Sequence, residues 1–247
     1  RAVYYISYFS SDDPESVVIH AGAIDRSGKD VIPPDYTRMS DFKNDRAVVW
    51  KGTLRDHRSG IIDKQGRFIL PLTNRYDIGP VGGGEDEAFD TGFSEGLVFF
   101  LRNDPNDKGL GLGGFLDREG RVAISPEKIV GGLASPGLFS EGLAAVERGM
   151  TQAESRSGFL PVGVVQMGYI DRTGKQVIKP QFSAARIFSE GLASVQRRNE
   201  KWGYIDKTGQ MVIEPQFDWA NPFKNGHASV TIDGNEKVID RTGRIVR

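Results

Sequence analysis

Gly168-Tyr169-Ile170-Asp171-Arg172-Thr173-Gly174-Lys175 returns 35 residues later as Gly203-Tyr204-Ile205-Asp206-Lys207-Thr208-Gly209-Gln210. A second phrase travels with it: Val177-Ile178-Lys179-Pro180-Gln181-Phe182 becomes Val212-Ile213-Glu214-Pro215-Gln216-Phe217. The short aromatic and β-branched run before each Asp suits a strand. Asp-x-Thr-Gly then reads as a hairpin turn. Its carboxylate accepts from backbone two residues on, and the Gly supplies the positive φ of a G1 bulge. The return strand, Met211-Val212-Ile213, is expected to end at Pro215, which cannot donate to a ladder.

Working outward, the anchor "aliphatic, Asp, two residues, Gly" recurs six times. Its turn residues are Asp25/Gly28, Asp63/Gly66, Asp117/Gly120, Asp171/Gly174, Asp206/Gly209 and Asp240/Gly243. A second anchor, Phe-Ser-Glu-Gly, starts at Phe93, Phe139 and Phe188. It weakens to Phe223-Lys224-Asn225-Gly226 and to a degenerate first copy, Phe42-Lys43-Asn44-Asp45. A third strand follows each, as in Leu192-Ala193-Ser194-Val195. The repeat is thus three short antiparallel strands in about 35 residues, too small to bury a core alone, so neighbours must stack.

The expected fold is all-β. It is an array of about six three-stranded units, near 20–50, 59–101, 113–147, 167–197, 202–231 and a partial 236–247, within one domain spanning 1–247. An open, solenoid-like stack is the first reading. A closed, propeller-like ring is the alternative, with residues 1–19 acting as a cap or as the closing strand. Extra length falls at two joints, giving inserts at Leu72–Phe89 and Gly149–Gln166.

The unit Gly-Tyr-Ile-Asp-[Lys/Arg]-x-Gly…Val-Ile-x-Pro-x-Phe…Phe-Ser-Glu-Gly-Leu-Ala-x-Val resembles the WG-repeat (tryptophan-glycine) family. The resemblance is specific over 168–230 and covers most of the chain more loosely. The Trp-Gly pair itself stands once, at Trp202-Gly203; the glycine recurs as Gly22, Gly60, Gly114 and Gly168. The resemblance implies a bacterial, non-enzymatic β array of a kind often exported or membrane-linked. A periplasmic or extracellular setting is therefore expected ahead of a cytoplasmic one. Arg1, standing where a Met would, reads as the start of a processed or trimmed product.

Composition narrows the chemistry. Of 247 residues 31 are glycine, against about 17 expected at the usual ~7%. The chain has no cysteine, which excludes disulfides, thiol nucleophiles and thiolate metal sites. Lys+Arg 32 against Asp+Glu 33 gives a net charge of -1, unlike a nucleic-acid or membrane-surface binder. No run approaches the ~18 apolar residues of a membrane helix.

Motifs that resemble catalytic signatures yield to the repeat. Gly92-Phe93-Ser94-Glu95-Gly96 fits a nucleophile elbow, but its core is triplicated without a strand-turn-helix setting. Gly109-Leu110-Gly111-Leu112-Gly113-Gly114 fits a dinucleotide fingerprint without a βαβ unit. Asp104–Gly109 opens like a calcium loop but has Lys108 at its fifth position. Gly84-Glu85-Asp86-Glu87 reads as a solvated loop tip. His20, His57 and His227 share no ligand spacing.

No catalytic residue, metal ligand or cofactor is therefore expected. The candidate binding residues are Trp219, Trp50, Trp202, Tyr8 and His227, because Trp in particular brings large area and a hydrogen-bond donor. The functional reading is a non-catalytic scaffold for a protein partner, acting through the repeat surface and its inserts. The alternatives are a glycan or cell-envelope ligand module and a hydrolase sited in the insert loops.

Overall fold

A computed structural model describes residues 2–9, 17–52, 57–79, 92–102, 112–128, 133–148 and 166–246. These residues form strands and turns, with one 3₁₀ turn at Pro126–Lys128 and no α-helix among them. The strands make six small antiparallel sheets, none closed on itself. The first holds β1 (Ala2–Phe9), β2 (Val17–Ile24) and β3 (Asp30–Tyr36). The second holds β4 (Arg38–Met39), β5 (Arg46–Gly52), β6 (His57–Asp63) and β7 (Phe68–Thr73). The third holds β8 (Tyr76–Ile78), β9 (Leu97–Arg102), β10 (Leu112–Asp117) and β11 (Val122–Ile124).

The fourth holds β12 (Leu133–Pro136), β13 (Leu143–Arg148), β14 (Met167–Asp171) and β15 (Gln176–Phe182). The fifth holds β16 (Ala184–Ala185), β17 (Ala193–Gln196), β18 (Trp202–Ile205) and β19 (Met211–Phe217). The sixth holds β20 (Trp219–Ala220), β21 (His227–Ile232) and β22 (Asn235–Asp240), extended by a single bridge from Ile239 to Ile245. The chain divides into two compact units, Arg1–Ala123 and Ile124–Arg247, each with its own buried clusters.

Three features differ from the sequence expectation. First, four of the sheets have four strands, because two to four residues after each hairpin pair with the following third strand; Ala184 and Ala185 pair with Gln196 and Val195. Such a fragment is too short to carry periodicity. Second, sequence repeat and sheet are out of phase. The segment 167–197 supplies β14 and β15 to the fourth sheet and β16 and β17 to the fifth. The covalent chain thus ties each sheet to its successor. Third, the hairpin's return strand does not stop at proline. β15 runs through Pro180 and β19 through Pro215. These are edge strands, where a missing N–H need not break a ladder, and proline there discourages pairing with another chain.

The proline lies in a bulge. Trp202 pairs with Phe217 and Tyr204 with Ile213, so one step of β18 is matched by a longer arc of β19. Gly203 faces that arc. A Cβ on Gly203 would sit 2.6 Å from the Ile213 carbonyl oxygen and 3.0 Å from the Pro215 nitrogen. The same approach occurs at Gly168, 2.5 Å from Ile178 O, and at Gly22, 2.7 Å from Ile32 O. Below 3 Å the obstacle is backbone, which cannot rotate away.

Stacking uses the turn glycines. Gly209 has φ +87°, and its absent Cβ leaves room for Ile178 of the preceding sheet, 3.1 Å away. Gly243 stands in the same relation to Ile213 at 2.9 Å. The core is layered accordingly. Tyr204, Phe217, Phe223, Val230 and Ile239 form one cluster; Tyr169, Phe182, Phe188, Val195 and Ile205 form the one before it. Tyr204 packs on Phe223 at 4.8 Å between ring centroids, as Tyr169 packs on Phe188 at 4.9 Å.

Gly203→Ala is expected to lower unfolding free energy by about 1–3 kcal/mol, the usual cost of forcing extra volume into a closed space. Gly137→Ala, whose new Cβ would lie 3.3 Å from the Ala145 carbonyl oxygen, a tight contact that a shift of a few tenths of an ångström relieves, and whose φ is ordinary, should cost less. Urea midpoints of the two variants check the ranking.

Candidate functional site

The six anchor aspartates hold their turns in one way. Asp206 Oδ1 accepts from the Thr208 N–H (2.8 Å), the Thr208 hydroxyl (2.6 Å) and the Gln210 N–H (3.0 Å). Asp171 and Asp240 repeat this pattern with Thr173 and Thr242. Asp25 does so with Ser27. At Asp63 and Asp117 an arginine replaces the hydroxyl: Arg67 Nε and Arg121 Nε donate to Oδ2 at 2.7 and 2.8 Å. Gly28, Gly66, Gly120, Gly174, Gly209 and Gly243 all take positive φ, each donating its N–H to the Asp carbonyl.

The threonine hydroxyl, reinforced by backbone N–H groups, holds the Asp171, Asp206 and Asp240 carboxyls below their ordinary range. Around Asp63 and Asp117 burial works upward, but the hydrogen bonds and positive charge of Arg67 and Arg121 outweigh it. None of these carboxyls is poised for proton transfer near neutral pH.

The Phe-Ser-Glu-Gly box is a staple between sheets. Its Glu-Gly pair takes two consecutive positive φ values, 54° and 85° at Glu141-Gly142 and 55° and 80° at Glu190-Gly191. That is the two-residue hairpin turn whose twist suits its flanking strands. The Ser hydroxyls reach forward: Ser140 Oγ donates to Phe188 O and Ser189 Oγ to Phe223 O, both at 2.6 Å. The glutamates do likewise, Glu141 Oε2 accepting from the Gly191 N–H (3.0 Å) and Glu190 Oε2 from the Gly226 N–H (2.9 Å). Lys207 Nζ closes the network on Glu141 Oε2 at 3.1 Å; burial works upward on the Glu141 carboxyl, but the hydrogen bonds from Lys207 and the Gly191 N–H outweigh it and hold it low. Two tyrosines complete it: Tyr169 OH donates to Arg186 O and Tyr204 OH to Asn221 O, each at 2.8 Å. The serine of the elbow-like motif is in these copies a structural donor to a neighbouring backbone.

What presents itself to solvent is a cluster on the fifth and sixth sheets. Trp202, on β18, is 6% exposed; Trp219, on β20, is 47% exposed. Their rings are 5.6 Å apart and inclined at 60°. The Arg186 guanidinium lies 4.2 Å from the Trp219 ring centre and 5.3 Å from that of Trp202. Trp219 Nε1 donates to Asn221 Oδ1 at 3.3 Å. Beside it, Asp218 accepts from Lys201 Nζ at 3.0 Å, which holds its carboxyl low. Burial pushes the Tyr204 phenol well above its ordinary range, with Arg186 acting the other way. The phenol therefore stays a neutral donor that fixes Asn221.

The other candidates stand elsewhere. Trp50 is 6% exposed on β5, under the Arg38 guanidinium at 4.9 Å. His227 is exposed on β21 and donates from Nδ1 to Asn225 O at 3.0 Å. Tyr8 belongs to β1, pairing with Val18, and its side chain lies outside the described residues. Outside them too fall Gly84–Glu87, Asp104–Gly109 and most of both inserts. Among the described residues no three His, Cys, Asp or Glu side chains gather as metal ligands. His57 pairs with Asp77 at 2.9 Å, remote in sequence from the other two histidines. Sequence reasoning did not find Arg186, because arginine stands at this point of the repeat in one unit alone.

The fold and its staples define a class: a β-repeat array of stapled antiparallel sheets. The model of a WG containing repeat matches residues 22–52, 167–202 and 202–235. Over those stretches the chain carries WG repeats. No curated protein matches its sequence. A crystal structure of the computationally designed Ika8 protein is similar at TM-score 0.50 and 13% identity, over 93% of this chain and 67% of that one. BamB from Moraxella catarrhalis gives 0.45 and 13%, over 100% and 76%. TolB from Acinetobacter baumannii gives 0.41 and 10%, over 98% and 62%. At such identities the likeness is one of fold.

Two predictions follow from the staples and turns. Ser189→Ala removes one buried-side donor and should cost about 1 kcal/mol, the net value of a typical hydrogen bond, with faster amide exchange concentrated in β20–β22. For the turn aspartates the folded carboxyl titrates below its unfolded value. Their stabilisation is complete above the ordinary carboxylate range, about pH 4, and disappears as pH falls through the lower folded value. Asp206→Asn should therefore weaken the protein at neutral pH and lessen the acid-induced drop in its urea midpoint.

Proposed function

We propose that this protein is a non-catalytic interaction module that binds a protein partner through the Trp219 surface. One observation carries the reading: an indole 47% exposed is held in place by Arg186 stacked against it and by Asn221 on its N–H. Trp and Arg are the residues that dominate binding energy at protein interfaces. A ring already ordered before contact loses little entropy on binding. The flanking Asp218, Lys201 and Asn221 supply the polar rim that such a hot spot needs. The absence of catalysis in this reading rests on the use of Ser140, Ser189, Glu141 and Glu190 as staples.

A glycan reading is favoured by the same indole flanked by Asn221 and Asp218, since sugar rings stack on Trp and hydrogen-bond to amide and carboxylate neighbours. The test compares wild type, Trp219→Ala and Arg186→Met. Partners captured from the native host are quantified by mass spectrometry, and a glycan array is run in parallel. A protein recovered with wild type and lost at least tenfold with Trp219→Ala supports the first reading. Array signal that depends on Trp219, without such a protein, moves the assignment to glycan. Capture and array profiles indifferent to Trp219 reject both.

A further inference from the structure

In the second compact unit, the staple at the Phe-Ser-Glu-Gly box is a small anion site with a built-in occupant. Glu141 Oε2 lies 3.0 Å from the Gly191 nitrogen and 3.1 Å from Lys207 Nζ. One carboxylate oxygen thus takes a backbone N–H and a cation together. The N–H belongs to the box of the following sheet, and the cation stands next after that sheet's turn residue, Asp206. Between the fifth and sixth sheets Glu190 Oε2 accepts from the Gly226 N–H at 2.9 Å. Arg241, next after Asp240, brings a guanidinium nitrogen within 3.8 Å of where a Cβ on Gly191 would stand. A glutamate, a backbone N–H and a turn cation therefore recur together at both joints.

The third sheet stacks on the second in the same way. A Cβ on Gly120 would lie 3.1 Å from the Leu70 side chain, as one on Gly209 would from Ile178. Arg46 Nε donates to Arg118 O at 2.9 Å across this joint. Arg118, next after Asp117, matches Lys207, and Gly96, at the end of its box, matches Gly191. The residue that matches Glu141 is Asn44, which is neutral, one carbon shorter and exposed. Among the described residues neither the Gly96 N–H nor Arg118 Nε has a hydrogen-bond acceptor, although Arg118 Nε is buried. Asp45 does not replace the missing glutamate. It takes φ 66° where the other boxes hold glycine, and its carboxylate pairs with Lys64. The Lys64 hydrogen bond and charge, with Arg118 and Arg46 adding to them, hold that carboxyl low. Asp63, Asp117 and Glu119 are paired with Arg67 and Arg121. Three cations, Arg46, Lys64 and Arg118, thus gather around the one carboxylate of Asp45.

We propose that Arg118 and the Gly96 N–H form a binding site for a carboxylate side chain of a partner polypeptide, which takes the place that Glu141 fills at the joint of the fourth and fifth sheets. One carboxylate oxygen accepts from the Gly96 N–H and lies against the Arg118 guanidinium. Hydrogen bonds to an ionised group are stronger than neutral ones, and a guanidinium matches the planar carboxylate better than an ammonium does. The occupant at the sister joints is a glutamate side chain, so a glutamate borne on another chain has the chemistry and reach that this pair of donors accepts. Arg46 and Lys64 add positive potential that favours an acidic segment around it. The inference goes beyond the reading of Trp219 and uses none of its residues.

The probes are the peptide acetyl-Ser-Glu-Gly-amide, its Ser-Gln-Gly twin and inorganic phosphate, each titrated at matched ionic strength into the isotope-labelled full chain. The glutamate peptide is expected to move the Gly96 amide and Arg118 Nε resonances saturably, and the glutamine twin to bind at least tenfold more weakly. Arg118→Met should lose the response. Arg118→Lys should keep it, since lysine is the cation at the sister joint. Asn44→Glu places a glutamate at φ 50°, close to the 54° and 55° of Glu141 and Glu190. It should move both resonances unaided, abolish the peptide response and raise the urea midpoint. Absence of saturation, equal binding of the two peptides, or a peptide response that survives Asn44→Glu overturns the proposal. Tighter binding of phosphate than of the glutamate peptide overturns the carboxylate assignment. A response that appears only after Glu85→Gln, Asp86→Asn and Glu87→Gln are combined overturns it too, because the carboxylate then comes from the chain itself.

Discussion

A glycine pressed against a proline-bearing bulge is the constraint on which the rest depends. Gly203 faces Ile213 O and Pro215 N at distances no Cβ tolerates, and Gly168 and Gly22 do the same in their hairpins. The bulge lets the return strand curl over the first strand while its edge is blunted by proline. The curl brings Phe217 opposite Trp202 and sets Ile213 inward, where it meets the turn of the next sheet. Proline and glycine here are two halves of one device, one removing an N–H at the edge and the other removing a Cβ beneath it.

Given that hairpin, the remaining motif residues serve the joints. Ser140, Ser189, Glu141 and Glu190 satisfy backbone groups of the following sheet, and Tyr169 and Tyr204 do so from below. Each hydrogen bond contributes modestly, about 1 kcal/mol. Repetition at the joints from the fourth sheet to the fifth and from the fifth to the sixth makes the sum matter. Where the pattern relaxes, as at Phe223-Lys224-Asn225-Gly226, Asn keeps the turn (φ 55°) while the forward staple residues are gone. The cluster of Trp202, Trp219 and Arg186 likewise arises where one copy departs from the consensus.

The hairpin turns were legible in advance because they are local. Asp, Thr and Gly within four residues specify a turn without help from the rest of the chain, whereas Phe-Ser-Glu-Gly was legible only as a recurring anchor, its turn appearing in the positive φ of Glu and Gly. The short strands β16 and β20 were not legible, since two residues carry no period. Nor was the passage of β19 through Pro215, because whether proline ends a strand depends on which edge of which sheet it occupies. Arg186 escaped for a similar reason: its partners, Trp202 and Trp219, are 16 and 33 residues away in sequence.

The sequence by itself determined the repeat: its period, its Asp-Gly hairpin turn, and the short strands that require a neighbour. These follow from φ preferences and hydrogen-bond reach, which act over a few residues. Only the tertiary structure decided that sheet and repeat are out of phase, that Ser and Glu bind the next sheet, and that Trp219 faces solvent while Trp50 and Trp202 are covered. Those outcomes depend on which strand edges meet, and meetings between distant segments leave no mark in local composition.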